Sequence, residues 1–597
     1  NIEQVYAQYN AAADANDAPA LDVSGNAGVT QVWVDGGTIE NNAEITLTKA
    51  QTAGIKGTVN GFVEVGSDPD SITFAFTEAD GVDDEATLAL EGADTQAIDT
   101  VTIAAIETLN IIASGENANV LDLTVPSGTT ADIEGERNLT LTTNLSDNTP
   151  TTGLTVDASD FIASLTATGT DQADTITGGA GDDTITGGLG DDTLTGGAGS
   201  NVFTFSVDIT AETSDSSPTQ ADTITDFDAD RDRIEITATG ITAFSGFVNS
   251  WLEFGRRNPF EYRLLLEDGI APGTNKEIAL NLPAEVSLAD ASALTRLDLT
   301  GTAGADTLAG GDGADWFRGL AGNDRIEADE NDRIDGGDGR DTVVFSAPVS
   351  AAQLIDADLV AVEVVELSGD LSAGVDLSAQ SDALDIIGDD ESATIILGNG
   401  GGDVRGRYGK DIFTAGDGVD RFIIHTTSGV GTEDPSRSES SSGLYDEISD
   451  FDIANDRLHI VATEVDAFDM ASVIGGDSTA LPDGSAPNTR EVIWIDVNGS
   501  EGFIGGDNGE GGDVFVYTPG LSVTSDQARG VVSFEITGTD GDDTIETGEL
   551  DDTIDGGAGN DTLTGGGGDD TLTGGAGSDS FVIGDSDSGI TLENADI

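Results

Sequence analysis

The sequence predicts an all-β chain wound into a parallel solenoid, a β-roll or β-helix, with β-rich segments between its repeat blocks. Three observations predict this fold. A nine-residue pattern, Gly-Gly-x-Gly-x-Asp-x-U-x with U a large apolar residue, recurs in four blocks. Val, Ile, Leu and Phe return at short intervals along all 597 residues, which argues against a disordered chain. Apolar and polar residues alternate between the blocks, as in "ADIEGERNLTLTTN", which is typical of short strands.

Each nonapeptide predicts a tight turn followed by a three-residue strand. Glycines allow positive φ angles and close backbone approach, so the first six residues suit a turn. Segments such as "TIT", "TLT" and "TIE" then suit strands with one side chain pointing inward. Two nonapeptides make one flattened coil, so alternate turns stack on the same edge about 4.8 Å apart. We therefore expect Asp174 to lie over Asp192, and Asp543 over Asp561.

The residue at the sixth position of the pattern is the candidate site residue of each repeat. Block 1 contains Asp174, Asp183, Asp192 and Asn201. Block 2 contains Asp306, Asp315, Asp324, Asp332 and Asp341, with one eight-residue step between Asp324 and Asp332. Block 3 is weaker and contains Asp403, Asp411 and Asp420. Block 4 is the most regular and contains Asp543, Asp552, Asp561, Asp570 and Asp579.

The composition favours cations as partners. The chain has 113 acidic and 22 basic residues, a formal net charge of -91, so nucleic acid and anionic membrane surfaces would repel it. It contains no cysteine, so no disulfide stabilises it, and a bound metal is the natural substitute. No run approaches the roughly 18 apolar residues of a membrane span. We expect neither a nucleic-acid partner nor a membrane span.

The stacked aspartates predict calcium binding that is coupled to folding. One buried apolar side chain per nonapeptide is too little to offset the backbone entropy of nine ordered residues, and stacked carboxylates repel one another. A divalent cation between successive turns would remove that repulsion. Carboxylate and turn carbonyl oxygens suit Ca²⁺, whereas Mg²⁺ requires a stricter octahedron. We therefore predict several bound Ca²⁺ ions, held at the sixth positions.

The repeats resemble a known calcium-binding family. "GGAGDDTIT", "GGLGDDTLT", "GGAGNDTLT" and "GGGGDDTLT" are similar to the RTX repeats, or hemolysin-type calcium-binding repeats, of proteins exported by type I secretion. A flexible Gly/Asp linker, the alternative interpretation, would not keep the apolar residue in phase. The resemblance implies secretion through a type I export machinery and a place outside a Gram-negative cell.

Acidic segments follow blocks 1 and 3. We name "ADTITDFDADRDRIEI", residues 221–236, cap 1 and "YDEISDFDIANDRLHI", residues 445–460, cap 2. They align without gaps, so that Asp222, Asp226, Asp228 and Asp232 match Asp446, Asp450, Asp452 and Asp456. Both resemble the Asp-x-Ile-x-Asp-Phe segment that closes calcium rolls of this family with strands. The alternative interpretation is an acidic hairpin without that role.

The last residues resemble the start of a third cap. "NADI" at the end of the chain is similar to the beginning of "QADTITDFD" at residues 220–228. We therefore expect block 4 to be cut short before its cap, with a secretion signal beyond it.

The blocks and the segments between them define eight predicted domains. These are an N-terminal β-rich solenoid domain with a short leading helix (1–168), block 1 with cap 1 (169–237), a β-rich insert (238–297), block 2 (298–345), a β-rich metal-free segment (346–387), the degenerate block 3 with cap 2 (388–461), a second β-rich insert (462–537) and block 4 (538–597).

Three details refine these domains. The leading helix would place Val5, Tyr6 and Tyr9 on one side. "IETLNI" at residues 106–111 matches "VEVVEL" at residues 362–367 in its apolar and acidic positions. In the first insert the arginines at positions 256, 257 and 263 could meet an acidic neighbour, although the aromatic residues around them favour a local core.

No catalytic motif is visible. The chain has two histidines, His425 and His459, which excludes H-E-x-x-H and three-histidine zinc sites. "NGSEG" around Ser500 lacks the first glycine of a G-x-S-x-G elbow. His459 alternates with Leu458 and Ile460, which is typical of a structural strand residue. We expect no enzymatic activity in this chain.

Three classes of function remain. The favoured class is an extracellular structural protein that folds on export and self-associates into a homo-oligomeric lattice or filament; the ladders of strands are similar in layout to those of bacterial surface-layer (S-layer) proteins. Cell-surface polysaccharide is a further candidate partner. The alternatives are a calcium-dependent adhesin and the RTX accessory region of a secreted enzyme whose catalytic domain lies outside this chain.

Overall fold

The computed structural model describes most of the chain. The described residues are 4–9, 20–39, 43–48, 50–61, 71–77, 84–97, 100–147, 150–211, 213–217, 220–242, 246–249, 261–265, 277–282, 295–310, 313–348, 358–368, 374–388, 392–407, 411–427, 446–465, 467–468, 473–475, 492–495, 514–518, 521, 523–583 and 591–593. They group into two compact units, the first made of residues 1–302 and 309–316 and the second of residues 303–308 and 317–597. The fold is nearly all β, as predicted, with long ladders of parallel strands.

The first unit is built from strands that pair with the strand two places along the chain. Its strands are Gln4–Tyr9, Ala20–Asp22, Gln31–Ile39, Ala43–Thr48, Thr52–Gly61, Ser71–Thr77, Glu85–Ala97, Thr100–Ala104, Thr108–Ser114, Asn119–Val125, Thr130–Gly135, Leu139–Leu145, Thr155–Asp157, Leu165–Thr168, Thr175–Thr177, Thr184–Thr186, Thr193–Thr195, Val202–Asp208, Thr213–Ser214, Asp222–Ile224, Arg233–Thr239, Gly246–Asn249, Glu261–Leu265, Glu277–Asn281 and Thr295–Thr300. Two further strands, Thr307–Ala309 and Trp316–Arg318, fall where the two units meet in sequence.

Parallel pairing makes each coil from two strands. Thr155–Asp157 pairs with Thr175–Thr177, which pairs in turn with Thr193–Thr195, so the longer strands of the N-terminal solenoid pass directly into the nonapeptides. Alternate side chains point inward, as Ile176 and Leu194 do, both fully buried. The predicted stacking of Asp174 over Asp192 follows from this register.

The second unit repeats the same construction. Its elements are Arg325–Ala328, Arg333–Asp335, Thr342–Phe345, Leu359–Val360, Val364–Leu367, Val375–Asp376, Asp385–Ile387, Thr394–Ile396, Gly402–Arg405, Ile412–Thr414, Asp420–Thr427, Asp446–Ser449, Arg457–Val465, Ala467–Phe468, Val473–Gly475, Val492–Ile495, Val514–Tyr517, the helix Ser525–Arg529, Val532–Gly538, Thr544–Glu546, Thr553–Asp555, Ala558–Gly559, Thr562–Thr564, Thr571–Thr573, Ala576–Gly577, Ser580–Val582 and Thr591–Glu593. In block 4, Thr544–Glu546 pairs with Thr562–Thr564, as the stacking of Asp543 over Asp561 requires.

The short helix before block 4 is fixed by its first turn. Thr524 is the N-cap and forms a capping box with Gln527, in which each side chain bonds to the backbone of the other residue. Such a box satisfies two of the amide groups that a helix end leaves unpaired.

Both caps are strands that continue the coils. In cap 1, Asp222–Ile224 pairs with Thr193–Thr195, and Arg233–Thr239 pairs with Val202–Asp208. In cap 2, Asp446–Ser449 pairs with Ile412–Thr414. The aromatic residue of each cap is buried near the last apolar residue of its block, because the rings of Phe203 and Phe227 lie 6.2 Å apart and those of Phe422 and Phe451 6.1 Å apart.

Each insert adds an antiparallel meander to its cap. In the first insert, Gly246–Asn249, Glu261–Leu265 and Glu277–Asn281 pair in order, and the last of them continues the sheet from cap 1. The second insert does the same from cap 2, through Val514–Tyr517. The described residues of both inserts are mostly strands; the arginines at 256 and 257 and the side chain of Arg263 lie outside the described part of the chain.

The predicted leading helix is wrong. Gln4–Tyr9 is a strand that pairs in parallel with Gln31–Ile39. Tyr6 lies opposite Trp33 and is 51% exposed. A six-residue segment gains little from helical hydrogen bonds alone, so pairing with a distant strand decides its structure.

Candidate metal centre

The predicted site residues share one environment. Fifteen of the seventeen are buried, each with at most 3% of its surface exposed. They are Asp174, Asp183, Asp192, Asn201, Asp306, Asp315, Asp324, Asp332, Asp341, Asp411, Asp420, Asp543, Asp552, Asp561 and Asp570. Asp579, at the last turn of block 4, and Asp403 are partly exposed. Buried carboxylates without countercharge are costly, so this burial requires an explanation.

In most of these aspartates, one carboxylate oxygen accepts a hydrogen bond from the neighbouring coil. The backbone N–H of Asp174 donates to Oδ1 of Asp192 at 2.7 Å, eighteen residues away. In block 4 the N–H of Asp543 donates to Oδ1 of Asp561 at 2.9 Å in the same way. These bonds link sixth positions on one edge of the roll, and we call them the sixth-position ladder. These bonds orient each aspartate side chain along the roll, and they thereby fix the position of its second carboxylate oxygen.

The second oxygen faces the turn glycines. A β-carbon at Gly178, the first position of its repeat, would overlap the carbonyl oxygen of Gly196 and lie 2.5 Å from Oδ2 of Asp183. Gly538 shows the same crowding by the carbonyl of Gly556 and by Oδ2 of Asp543. A glycine is therefore needed at the first position because a carboxylate oxygen and a carbonyl oxygen from the next coil share the space. Two oxygens facing one space favour a hard cation.

Several of these second oxygens have no hydrogen-bond partner. They are the Oδ2 atoms of Asp192, Asp222, Asp324, Asp341, Asp561 and Asp579, all buried within the described residues. A buried carboxylate oxygen with no donor is rare in folded proteins. A cation supplies what this arrangement lacks, so the residues fit Ca²⁺.

Burial also opposes ionisation of these aspartates when no metal is bound. Loss of solvent raises the pKa of Asp192 to about 8, and the nearby charge of Asp174 adds to the effect. Burial, followed by the charge of Asp192, raises the pKa of Asp222 to about 9. Burial likewise raises the pKa of Asp552 to about 7 and that of Asp420 to about 6. Without a countercharge, these aspartates are therefore less readily ionised than exposed ones.

The side chains alone do not form a metal cage. Among the described residues, no group of three or more His, Cys, Asp or Glu side chains converges as a metal site. A cation in the turns would therefore also need backbone carbonyls as ligands, such as that of Gly196. Calcium accepts such oxygen-rich, flexible sites.

The comparison with protein families decides what these turns are. The RTX calcium-binding nonapeptide repeat matches the chain in four copies, at residues 168–203, 300–331, 328–347 and 546–581. The chain therefore contains RTX repeats. Its repeats are calcium-binding repeats, and the matched residues contain blocks 1, 2 and most of 4. The curated proteins give no match to this chain.

One RTX position departs from aspartate. Asn201 accepts the ladder bond from the N–H of Asp183 through Oδ1, at 3.1 Å. Its Nδ2 is buried without a partner, where the other repeats present a carboxylate oxygen. An amide nitrogen has no lone pair for a cation. In this orientation Asn201 continues the sixth-position ladder, and its Nδ2 cannot act as a ligand.

Asp403 is not at a sixth position. Val404 lies opposite Phe422 in the sheet, so the apolar eighth positions of block 3 place Gly402 at the sixth position and Asp403 at the seventh. Its side chain is 37% exposed and forms an ion pair with Arg421. The prediction for Asp403 is wrong because the run "GNGGGD" offers two registers, and only strand pairing selects one.

Block 2 absorbs its eight-residue step in one turn. Asp332 is buried, and its Oδ2 accepts a bond from the N–H of Asp329 at 2.7 Å. The strand Arg333–Asp335 follows with Ile334 inward and fully buried. The shortened turn thus keeps both the aspartate and the apolar residue in phase.

The caps carry the ladder past the last nonapeptide. Asp222 of cap 1 accepts from the N–H of Asp192 at 2.9 Å, and Asp232 accepts from Asn201 at 2.9 Å. In cap 2, Asp446 accepts from Asp411 and Asp456 accepts from Asp420, both at 3.1 Å. The four matched cap residues therefore act as further sixth positions, which their alignment alone did not reveal.

A second, exposed ladder was missed by sequence reasoning. The N–H of Ser200 donates to Oδ1 of Asp182 at 2.8 Å, and that of Asn560 donates to Asp542 at 2.8 Å. These are fifth positions, and we call this the fifth-position ladder; it runs in the opposite direction, since each acceptor precedes its donor. The signal in the sequence is the repeated pair "DD", in which the first aspartate occupies the fifth position and the second the sixth.

Proposed function

We propose that this chain is an extracellular calcium-binding structural protein that folds on export and self-assembles into a surface layer or a related array. The observation that carries the proposal is the set of buried carboxylate oxygens without partners, which recurs in separate blocks along a solenoid. Such a molecule depends on calcium along its length, not at one regulatory site. Calcium dependence that extends along the whole solenoid suits a protein with a structural role.

Calcium would be held between coils by the sixth-position aspartates and the carbonyl oxygens of the turn glycines. When bound, the ion supplies the positive charge that lets stacked carboxylates ionise while buried. The ladder bonds orient each carboxylate, and the glycines leave room beside it. Folding and binding are then one process, because the coordinating turns exist only in the coiled chain.

Export follows from the same coupling. In a calcium-poor cytoplasm the acidic repeats stay unfolded by charge repulsion and can pass through a type I export machinery. Outside the cell, millimolar calcium exceeds the dissociation constants of about 10⁻⁴ to 10⁻³ M that are usual for extracellular calcium modules. The proposed location is the surface of a Gram-negative bacterium, with cell-surface polysaccharide as a candidate anchor. The described part of the chain has no helix of the length and apolarity that crossing a membrane requires.

We propose no enzymatic activity for this chain. His459 lies on a strand, and its Nδ1 is 2.9 Å from Oγ of Ser533. Burial lowers the pKa of His459, and Glu535 lies 3.9 Å away, beyond hydrogen-bond distance. His459 and Ser533 are direct neighbours in parallel pairing, so both belong to a regular sheet face. Their contact is therefore explained as a hydrogen bond between neighbouring strands.

Electron microscopy of the purified protein tests the proposal. We expect ordered sheets, tubes or filaments in millimolar calcium that dissolve after chelation. Discrete particles that fold with calcium but never assemble would contradict self-assembly. That outcome would favour the adhesin or the accessory region of a secreted enzyme.

A further inference from the structure

Glu363 continues the sixth-position ladder of block 2 beyond the nonapeptides. The N–H of Asp324 donates to Oδ1 of Asp341 at 2.8 Å, and the N–H of Asp341 donates to Oε2 of Glu363, also at 2.8 Å. Glu363 lies outside the residues that match the RTX repeat. A glutamate therefore takes the place of the next aspartate, with its longer side chain reaching the same amide.

The backbone beside Glu363 also replaces a glycine turn. The N–H groups of Glu363 and Val364 both donate to the carbonyl of Asp341, at 3.3 and 3.0 Å. Ala361 has a φ angle of 51°, in the left-handed region that glycine usually occupies. A residue other than glycine keeps this conformation only where its surroundings require it. The turn thus directs the Ala361 carbonyl toward the preceding coil at a conformational cost.

Two oxygens meet beside Gly336. A β-carbon there would overlap the carbonyl oxygen of Ala361 and lie 2.7 Å from Oδ2 of Asp341. That Oδ2 is buried without a hydrogen-bond partner, and Asp341 itself is fully buried. One coil earlier, Gly319 is crowded in the same way by Oδ2 of Asp324 and the carbonyl of Gly336. The space beside Gly336 therefore has the oxygens of a nonapeptide turn, although its far side is not a nonapeptide.

We propose that Asp341, the carbonyl of Ala361 and Glu363 form a calcium site that extends block 2 by one coil. The inference rests on the proposed calcium binding of the repeats. Hard carboxylate and carbonyl oxygens suit Ca²⁺, and the charge of Glu363 provides the anion that a sixth-position aspartate provides elsewhere. Calcium binding thus reaches into the segment that the sequence predicted to be free of metal.

The same backbone arrangement recurs in the first unit. The N–H of Asp84 donates to Oε2 of Glu107 at 3.0 Å, and the N–H groups of Glu107 and Thr108 donate to the carbonyl of Asp84 at 3.2 and 3.0 Å. Ala105 has a φ angle of 60°. This is the structural basis of the match between "IETLNI" and "VEVVEL": a glutamate two residues after a left-handed alanine accepts a backbone hydrogen bond from the preceding coil.

Counting calcium ions in Glu363→Gln by native mass spectrometry tests the site. Glutamine keeps an acceptor for the Asp341 amide but lacks the charge. At the lowest calcium concentration that saturates the full wild-type chain, we expect the variant to bind one ion fewer. Glu366→Gln is the control, because Glu366 lies three residues further on, in the strand Val364–Leu367, and pairs with Arg325 instead. Equal ion counts in the wild type and Glu363→Gln would overturn the site.

A density map of the calcium-loaded wild type covers the case in which Glu363→Gln does not fold. We expect an ion in contact with Oδ2 of Asp341 and the carbonyl of Ala361. Ions in the nonapeptide turns with none at this place would overturn the inference and leave the proposed function intact. A wild type that binds no calcium at all would overturn both.

Discussion

Adjacent aspartates in the RTX turns have different roles. Asp192, at the sixth position, is buried, and one of its oxygens has no partner, whereas Asp191 beside it is exposed. Exposed fifth-position side chains such as Asp182 bond to the next coil without leaving a buried oxygen. The "DD" pair therefore combines a proposed metal ligand with a stacking contact.

Replacing one member of such a pair separates the two roles. Asp192→Asn keeps an acceptor for the Asp174 amide but removes the charge, so the calcium concentration at the folding midpoint should rise severalfold. Asp191→Asn makes the same change in net charge at an exposed position and should leave the midpoint unchanged. Far-UV circular dichroism during calcium titration measures both. Equal midpoints for the two variants would argue against Asp192 as a ligand.

The raised pKa values predict that acid stabilises the calcium-free fold. Asp192 and Asp222 have folded pKa values of about 8 and about 9, above the ordinary value of 3.8. The stability they contribute is complete below pH 3.8 and is lost as the pH rises through their folded values. In chelator, the β-sheet signal should therefore decrease between about pH 4 and pH 9.

A paired variant isolates these two groups from general charge repulsion. Asp192→Asn with Asp222→Asn should flatten the pH dependence of unfolding in chelator. Asp182→Asn with Asp191→Asn removes the same number of charges from exposed positions and should retain the slope. If both double variants keep the wild-type slope, the buried pair does not cause it.

At the scale of elements, each cap completes its repeat block and starts a meander. The strand Asp222–Ile224 pairs with the last coil of block 1 on one side and with Glu277–Asn281 of the first insert on the other. The corresponding strand of cap 2 pairs in the same way with block 3 and with the second insert, so the duplication includes the inserts as well as the caps. The cap aromatic residue closes the interior at this junction.

Removing that aromatic side chain should weaken the junction. Phe227 is 5% exposed and packs near Phe203, so Phe227→Ala should cost about 3 to 5 kcal/mol of stability in saturating calcium. Ile162→Ala is a control, since Ile162 is 63% exposed and its loss should cost no more than about 0.5 kcal/mol. Urea unfolding measures both. A Phe227→Ala variant as stable as the control would show that the cap does not close the core.

At the scale of the whole molecule, the nine-residue period predicted the coil. It placed Asp174 over Asp192, because a fixed period and alternating side chains leave one way to stack the turns. The period failed at Asp403, where consecutive glycines permit two registers. Glu363 was also missed, since its role depends on a side-chain length and a backbone angle that no repeat pattern encodes. Local periodicity thus predicts the repeats, and long-range pairing determines the exceptions.

We propose that calcium binding in the turns folds this highly acidic chain. The most direct test is to follow the β-sheet signal and the radius of gyration of the full chain as calcium is added and then chelated. We predict an expanded, weakly structured chain in chelator and a cooperative change to a compact β protein in millimolar calcium, reversed by chelation. The same compact β state with and without calcium at neutral pH would contradict the account.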